Sequence, residues 1–594
     1  MKRLIPLIIA IAFLAPLFAP SCANTTEAPS GGDKDTIPPY IVDIRPLPGV
    51  TSFQQEGGRI VFEFNEYVTI KNQAGIFLSP PQEKRPKAKI AGKKLVVSFE
   101  EALQPNTTYT LNLNDAIADN NEGNLFAGFT YVFSTGSQID SMFMTGKVVD
   151  CNTLAPLKGA TVLLYKDHAD SAVFLKRPYA AGKTDDWGFF ALPFIEDTLY
   201  RIYAIRDVNN NNIYDPDQER VAFIDSLIRP RWTVNDSVPE LLKYDMTDTL
   251  GCEARRVEHE LKVFRERPSK QFIVNKVRTS PKSAYITFMA PDAWIDSLWI
   301  GGYPANKVIT QFNLEQDSLE IWLNDRRPAP DTLHLFVNYR KTDSLGLLKP
   351  ELEHIRLVME PEVKKRFTRK RGEKLKHEDT TCVFKLTGEA TTVEQNGYEL
   401  MFDYPIIYEN FDSLRFRYVN PKQKEFKGKI GVERDSLNLR RYILRPEVKF
   451  QKGFDYFLKV PHRAFRDIMG FWSDSTEVKV TLPVDEDLSI VHAALSGVDR
   501  RFIVDLLDEK RTGVMRSYTV ESDCVLDFPY LKAGRYSLRI TEDRNKNSMV
   551  DTGRLLDHLQ PEKVVFADFS GSEFLEVPKA AEIDQNINIG ELFR

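Results

Sequence analysis

The chain has 594 residues, with 79 Lys and Arg against 84 Asp and Glu for a net charge of −5. Apolar residues make up 42 % and aromatics 11 %, enough for cores in about four to six domains of roughly 100–200 residues. The mild acidity argues against nucleic-acid binding, which shows a basic patch or stripe, and 31 Gly with 34 Pro are too few for a collagen-like chain. Five cysteines, at 22, 151, 252, 382 and 524, lack the close spacing of a disulfide framework or a zinc ribbon.

At the N-terminus, Lys2 and Arg3 precede a 15-residue apolar run from Leu4 to Phe18 that ends in Ala19-Pro20-Ser21-Cys22. The run is shorter than the ~20 residues of a spanning helix. The arrangement resembles a bacterial lipoprotein signal peptide, which implies removal of residues 1–21 and lipid attachment at Cys22. Pro20 departs from the small residue usual there, and an ordinary secretory signal with an incidental cysteine is the alternative. Residues 22–37 are mostly Ser, Thr, Gly, Pro and Ala and read as a flexible tether. The expected partner is a membrane, held through the lipid anchor.

From residue 38 onward, short runs of period two dominate. Arg59–Phe64, Lys94–Phe99 and Tyr109–Leu113 alternate, are rich in β-branched and aromatic residues, and are bounded by Gly, Pro, Asn or Asp. That is the pattern of half-buried sandwich strands. The one candidate helix is short, near Glu253–Arg265. The expected fold class is all-β, with tandem sandwiches in an extended array.

Phe62-Glu63-Phe64-Asn65-Glu66, Leu103–Leu113, Asp119–Asn124 and Phe133-Ser134-Thr135-Gly136 follow in the order of the bacterial Ig-like domain of the SbsA type, which residues 38–137 resemble. Thr145–Asp150, Gly159–Tyr165 and Gly182–Phe190 resemble the prealbumin-like sandwich of the carboxypeptidase regulatory and Cna-B families, over 142–235. Such modules are stalks and stabilisers, so the resemblance implies no peptidase. The pair then recurs. Pro193-Phe194, Tyr200 and the Asp207–Asp215 stretch align without gaps on Pro529-Tyr530, Tyr536 and Asp543–Asp551, 336 residues later. Phe62-Glu63-Phe64 matches Phe402-Asp403-Tyr404, 340 residues later. The plan continues with a middle β-sandwich at 268–360 and a linker at 361–380, in which eight of the 13 residues from Lys364 to Lys376 are basic. A degenerate Ig-like domain at 381–482 and a degenerate prealbumin-like domain at 486–578 complete it.

One constellation carries chemistry. Asp207, Asn209, Asn211 and Asp215, with the Ile213 carbonyl, occupy the spacing of an EF-hand-type calcium loop, which this segment resembles. Calcium takes six to eight oxygens, which such side chains supply. Glu219 stands one residue late for the closing ligand, and Asn212 takes the sharp-turn position, where Asn tolerates a left-handed backbone. Asp543, Asn545, Asn547 and Asp551 repeat the spacing, with Ser548 at the turn. Two readings stand for each loop: a weak calcium site that stiffens it, or a polar hairpin turn capped by its own Asn and Asp side chains.

The Asp-(Ser/Thr)-apolar pattern recurs at 15 positions. It resembles the O-glycosylation sequon of exported Bacteroidetes proteins, and it is also the chemistry of a tight turn opening a strand. The eight histidines are scattered, with no pair at ligand spacing, and no GxSxG, phosphate-loop or dinucleotide fingerprint is present. Cys151, Cys252, Cys382 and Cys524 read as buried apolar fillers. The whole resembles the Ig-like-domain lipoproteins of Bacteroidetes. The expectation is a non-catalytic, lipid-anchored envelope protein on the outer membrane, the periplasmic face favoured over the cell surface because no acidic cluster follows Cys22. It would act as a scaffold or binding module for an envelope protein or a glycan, with no nucleic-acid partner. The alternatives are a surface glycan- or protein-binding adhesin, with Trp294, Trp299 or Trp322 grouped on one face, and a hydrolase with accessory β-domains.

Overall fold

The computed structural model describes residues 35–113, 115–126, 129–231, 257–359, 381–483 and 487–594. Cys22, the leader, most of the tether, Cys252 and the basic linker lie outside these residues. The fold is nearly all β, 48 % strand against 4 % helix, as the alternating pattern requires. Among the described residues no helix is long and apolar enough to cross a membrane. Two compact units divide the chain: one holds the residues up to 148 with 156–214 and 224–261, the other 149–155, 215–223 and 262–594.

In the first unit, strands Ile41–Arg45, Arg59–Phe64, Lys94–Ser98 and Lys87–Ala91 form one sheet in that order. Phe77–Ser79, Thr108–Asn112 and Thr130–Ser134 form another. Alternation along Arg59–Phe64 puts Ile60, Phe62 and Phe64 into a shared core with Leu111, Tyr131 and Phe133. Each fully buried Phe of this kind contributes about 1.5–3 kcal/mol. In the next sandwich, Met142–Asp150 pairs with Phe189–Ile195, and Thr161–Tyr165, buried along its whole length, lies between Ala180–Lys183 and Arg201–Ile205. Hydrogen bonds join the two sandwiches: the Ala181 amide donates to Ser79 Oγ at 2.9 Å and Arg85 to the Asn210 carbonyl at 3.1 Å.

The candidate helix near Glu253–Arg265 is not one where it is described. His259–Val263 is a strand in which Leu261 and Val263 are fully buried and alternate with Glu260 and Lys262. A spacing of two places both apolar side chains on one side of a strand but on different sides of a helix.

The second unit contains three further sandwiches. In the middle one, Ile273–Ser280, Ser283–Phe288, Ser318–Leu323 and Val308–Phe312 form one sheet, and Ile295–Ile300, Thr332–Thr342 and Leu348–Val358 the other. Its core includes Ile286, Leu335, Val337 and Tyr339, all fully buried. Arg278 is buried beside it and donates to the carbonyls of Pro281, Pro330, Asp331 and Leu357. The next sandwich is built around Tyr398, Leu400, Phe402 and Leu458, and the last around Val491, Phe502, Val504 and Phe528. In the last, Ser489–Ser496 pairs antiparallel with Cys524–Leu531 and parallel with Glu582–Asn588. Polar contacts also link these sandwiches. Arg440 pairs with Glu320 at 2.7 Å, and Gln395 donates to the Asp527 carbonyl at 3.0 Å while accepting from Tyr518 at 2.6 Å.

Cys151 and Cys382 are buried, and burial pushes their thiols up to about 11 and about 12. Cys524 is half-buried, so it departs from the filler reading. At two of the Asp-Ser positions the turn chemistry is explicit: Asp343 and Asp435 accept the amides of Leu345 and Leu437, each at 2.8 Å.

Candidate functional site

The strand Arg201–Ile205 leads into the first Asp/Asn loop and Gly534–Glu542 into the second. Asp207 accepts the amides of Asn211 and Asn212 at 3.1 and 3.0 Å, Asn209 accepts Asn211 at 3.0 Å, and Asn211 accepts Ile213 at 2.8 Å. The second loop repeats every bond. Asp543 accepts Asn547 and Ser548 at 3.1 and 2.9 Å, Asn545 accepts Asn547 at 3.2 Å, and Asn547 accepts Met549 at 2.8 Å. Backbones at Asn212 and Ser548 are left-handed, with φ of 59° and 60°. These are Asx turns, in which a short polar side chain satisfies the amide that the tight bend leaves open.

Each loop also closes on a buried glutamate. Glu219 accepts the Asp215 amide at 3.1 Å; Glu562 accepts the Asp551 amide at 3.0 Å and the Arg544 amide at 2.8 Å. Glu562 escapes a gap-free alignment because it follows Asp551 by 11 residues, whereas Glu219 follows Asp215 by four. Burial raises the pKa of Glu562, and the neighbouring Asp551 and Asp543 raise it further against the hydrogen bonds from the Asp551 and Arg544 amides.

The two loops differ in how their charge is met. Asp543 pairs with Arg501 at 3.0 Å and Asp551 with Arg267 at 3.3 Å, so arginines answer the carboxylates of the second loop. In the first, Lys183 donates to the Asn210 side chain at 3.3 Å, and the side-chain oxygen of Asn212 is buried without a hydrogen-bond partner. Asp207, Asn209, Asn211 and the Ile213 carbonyl leave that loop rich in hard oxygen donors, which fit calcium. Among the described residues no three His, Cys, Asp or Glu side chains gather as a metal site.

A second candidate lies on the outer face of the middle sandwich. Trp299 stacks on Phe336 with centroids 5.1 Å apart and planes 7° apart, and Phe336 stacks on His354 at 4.5 Å and 10°. His334 Nδ1 and His354 Nε2 lie 2.9 Å apart in a hydrogen bond. No local spacing announces this histidine pair, because the two residues meet only through the register that sets Phe336 opposite His354. The three tryptophans are not grouped as expected. Trp322 is 1 % exposed and covered by the Arg440 guanidinium at 5.3 Å, while Trp294, 67 % exposed, donates to Asp296. A cleft of about 340 Å³ beside Trp322 is lined by Tyr285, Tyr404, Asp403 and Glu320. Its Glu320 carboxylate is held in the ion pair with Arg440.

No curated protein matches the chain. Solved structures similar to it include the major pilin subunit of Bacillus cereus, at 11 % identity over 76 % of this chain and 99 % of that one with a TM-score of 0.14. The surface layer protein SbsC, domains 1–6, is 10 % identical over 91 % and 68 %, with a TM-score of 0.13. A Bacteroides ovatus protein from a mixed-linkage glucan utilization locus, SGBP-B, is 9 % identical over 67 % and 88 %, with a TM-score of 0.18. Residues 35–135 match the family of the bacterial Ig-like domain, so the chain carries an Ig-like domain.

Proposed function

We propose that the protein is a non-catalytic, lipid-anchored component of the bacterial cell envelope that acts as a scaffold. The observation that carries this reading is the way sandwiches are joined inside each unit. Ser79 to Ala181 in the first, and Arg440 to Glu320 and Gln395 to Tyr518 in the second, are specific side-chain bonds across module junctions. Such bonds hold neighbouring modules at fixed angles, as a spacer requires, where a Gly/Ser-rich linker would let them swing. Cys22 supplies the anchor, and the outer membrane with its periplasmic face is the place it fits. In the first loop, calcium held by Asp207, Asn209, Asn211 and the Ile213 carbonyl stiffens the bend, with an affinity of about 10⁻⁴–10⁻³ M.

The test is metabolic labelling with a palmitate analogue, followed by membrane fractionation, protease treatment of intact cells and crosslinking. Label in the native chain that is lost in Cys22→Ala, protection in intact cells, and a crosslinked envelope partner are the expected results. A chain found in the cytoplasm with its leader intact overturns the reading. A second reading, a binding module at the cell surface, is favoured by the row in which the half-buried Phe336 lies between the exposed Trp299 and His354, and it predicts protease sensitivity on whole cells.

A further inference from the structure

We propose that the outer face of the sheet formed by Ile295–Ile300, Thr332–Thr342 and Leu348–Val358 binds an acidic glycan chain. This rests on the binding-module reading and names its partner. Strand register sets Trp299 opposite Phe336 and Phe336 opposite His354, so three rings form one row across all three strands. On one side of the row stand Ser297, Asn338 and Leu352. On the other, Gly301 donates its amide to the His334 carbonyl at 2.8 Å, and His334 lies opposite Arg356. The opposite face of the same sheet is core, with Leu335, Val337, Ile355 and Leu357 buried.

Core packing beneath and ring stacking above fix the row without covering it. Trp299 is 39 % exposed, and both histidines are exposed. Trp299 also stands on an edge strand, with no strand paired beyond it among the described residues. A pyranose ring offers a flat C–H surface for an aromatic ring and hydroxyls around its rim for planar polar side chains, so its recognition calls for both kinds of group side by side. The rings supply the first; the Asn338 amide, the imidazoles and the Arg356 guanidinium supply the second. The His334–His354 hydrogen bond engages one nitrogen of each ring and leaves the other for a ligand.

Charge decides which glycan. None of the nine residues of these three rows is acidic, and Arg356 among them carries a positive charge. Among the described residues Arg356 forms no ion pair and no hydrogen bond through its side chain. An exposed guanidinium beside a stacking row matches a carboxylate or sulfate carried on a sugar, which it meets with two parallel hydrogen bonds.

The experiment is native affinity electrophoresis of the full chain in gels containing polygalacturonate, with dextran as the neutral comparison. Polygalacturonate is expected to retard the protein, less so as salt is raised, and dextran is expected to leave it unretarded. Trp299→Ala and Arg356→Ala should each weaken retardation about tenfold while the thermal unfolding transition stays in place. Trp187→Ala, at a tryptophan 69 % exposed in another module, should change nothing. No retardation by polygalacturonate, equal retardation by dextran, or retardation untouched by both variants overturns the proposal. The binding-module reading is judged by protease sensitivity on whole cells, so the two fail separately.

Discussion

Tyr109 and Tyr456 make the same bond in two different sandwiches: each hydroxyl accepts the amide of the residue five places before it, Gln104 at 2.8 Å and Gln451 at 2.5 Å. Both rings are 1 % exposed, so the bond pins a bend to the core. Tyr109→Phe and Tyr456→Phe leave a partly buried amide without its partner and should each cost about 1–2 kcal/mol. Denaturant unfolding of the single variants measures this. A loss confined to Tyr109→Phe would show that the repeat keeps the geometry but not its role.

Arg278 places a charge in the middle sandwich and spends its guanidinium on four backbone carbonyls. Burial lowers its pKa, with smaller opposing effects from Tyr303 and Asp331. Arg278→Ala orphans several carbonyls at once and should destabilise this module by about 3 kcal/mol. Arg278→Lys should recover only part of that, because an ammonium cannot span the same set of acceptors. Thermal unfolding of the two variants beside the native chain is the measurement.

His492 lies between two carboxylates, Asp527 at 2.6 Å and Glu582 at 3.3 Å. The hydrogen bond with Asp527 is the main cause of its raised pKa. Because the folded value exceeds the unfolded value of about 6.5, the stabilisation is complete below that pH and is lost as pH rises through the folded value. An NMR titration should place the His492 midpoint above 6.5, and Asp527→Asn should bring it down. A midpoint at the unfolded value would remove the pair as a source of pH dependence.

For the loops, millimolar calcium should raise the melting temperature of the native chain relative to chelator, and Asp207→Asn should abolish the rise. Asp543→Asn should leave the calcium response intact, since Arg501 already answers that carboxylate. Equal melting temperatures in calcium and chelator would leave both loops as turns held by their own side chains.

The architecture was legible in the sequence where a rule is local. Two-residue alternation places Ile60, Phe62 and Phe64 in the core, and the 336-residue offset carries through to the backbone. Phe194 and Tyr530 share φ of 58° and 60°, and Tyr200 and Tyr536 donate to the carbonyls of Glu196 and Lys532, each at 2.9 Å. Features that depend on distant partners were not legible. Trp322 alternates with the core residues Ile321 and Leu323 along its strand, as an exposed residue would, yet Arg440 from the next sandwich covers it. Glu562 and the His334–His354 pair likewise depend on loop length and hairpin register.

The parallel pairing of Ser489–Ser496 with Glu582–Asn588 gives the last sandwich an assembly order. Its first strand waits for a partner more than 80 residues further along the chain. The antiparallel neighbours, closer in sequence, can zip first, but this sheet is completed only by a long-range closure that is intrinsically slow. Until then the 489–496 edge stays open to any other extended segment. A chain truncated before residue 582 should therefore leave that edge unpaired and aggregate more readily than the full chain.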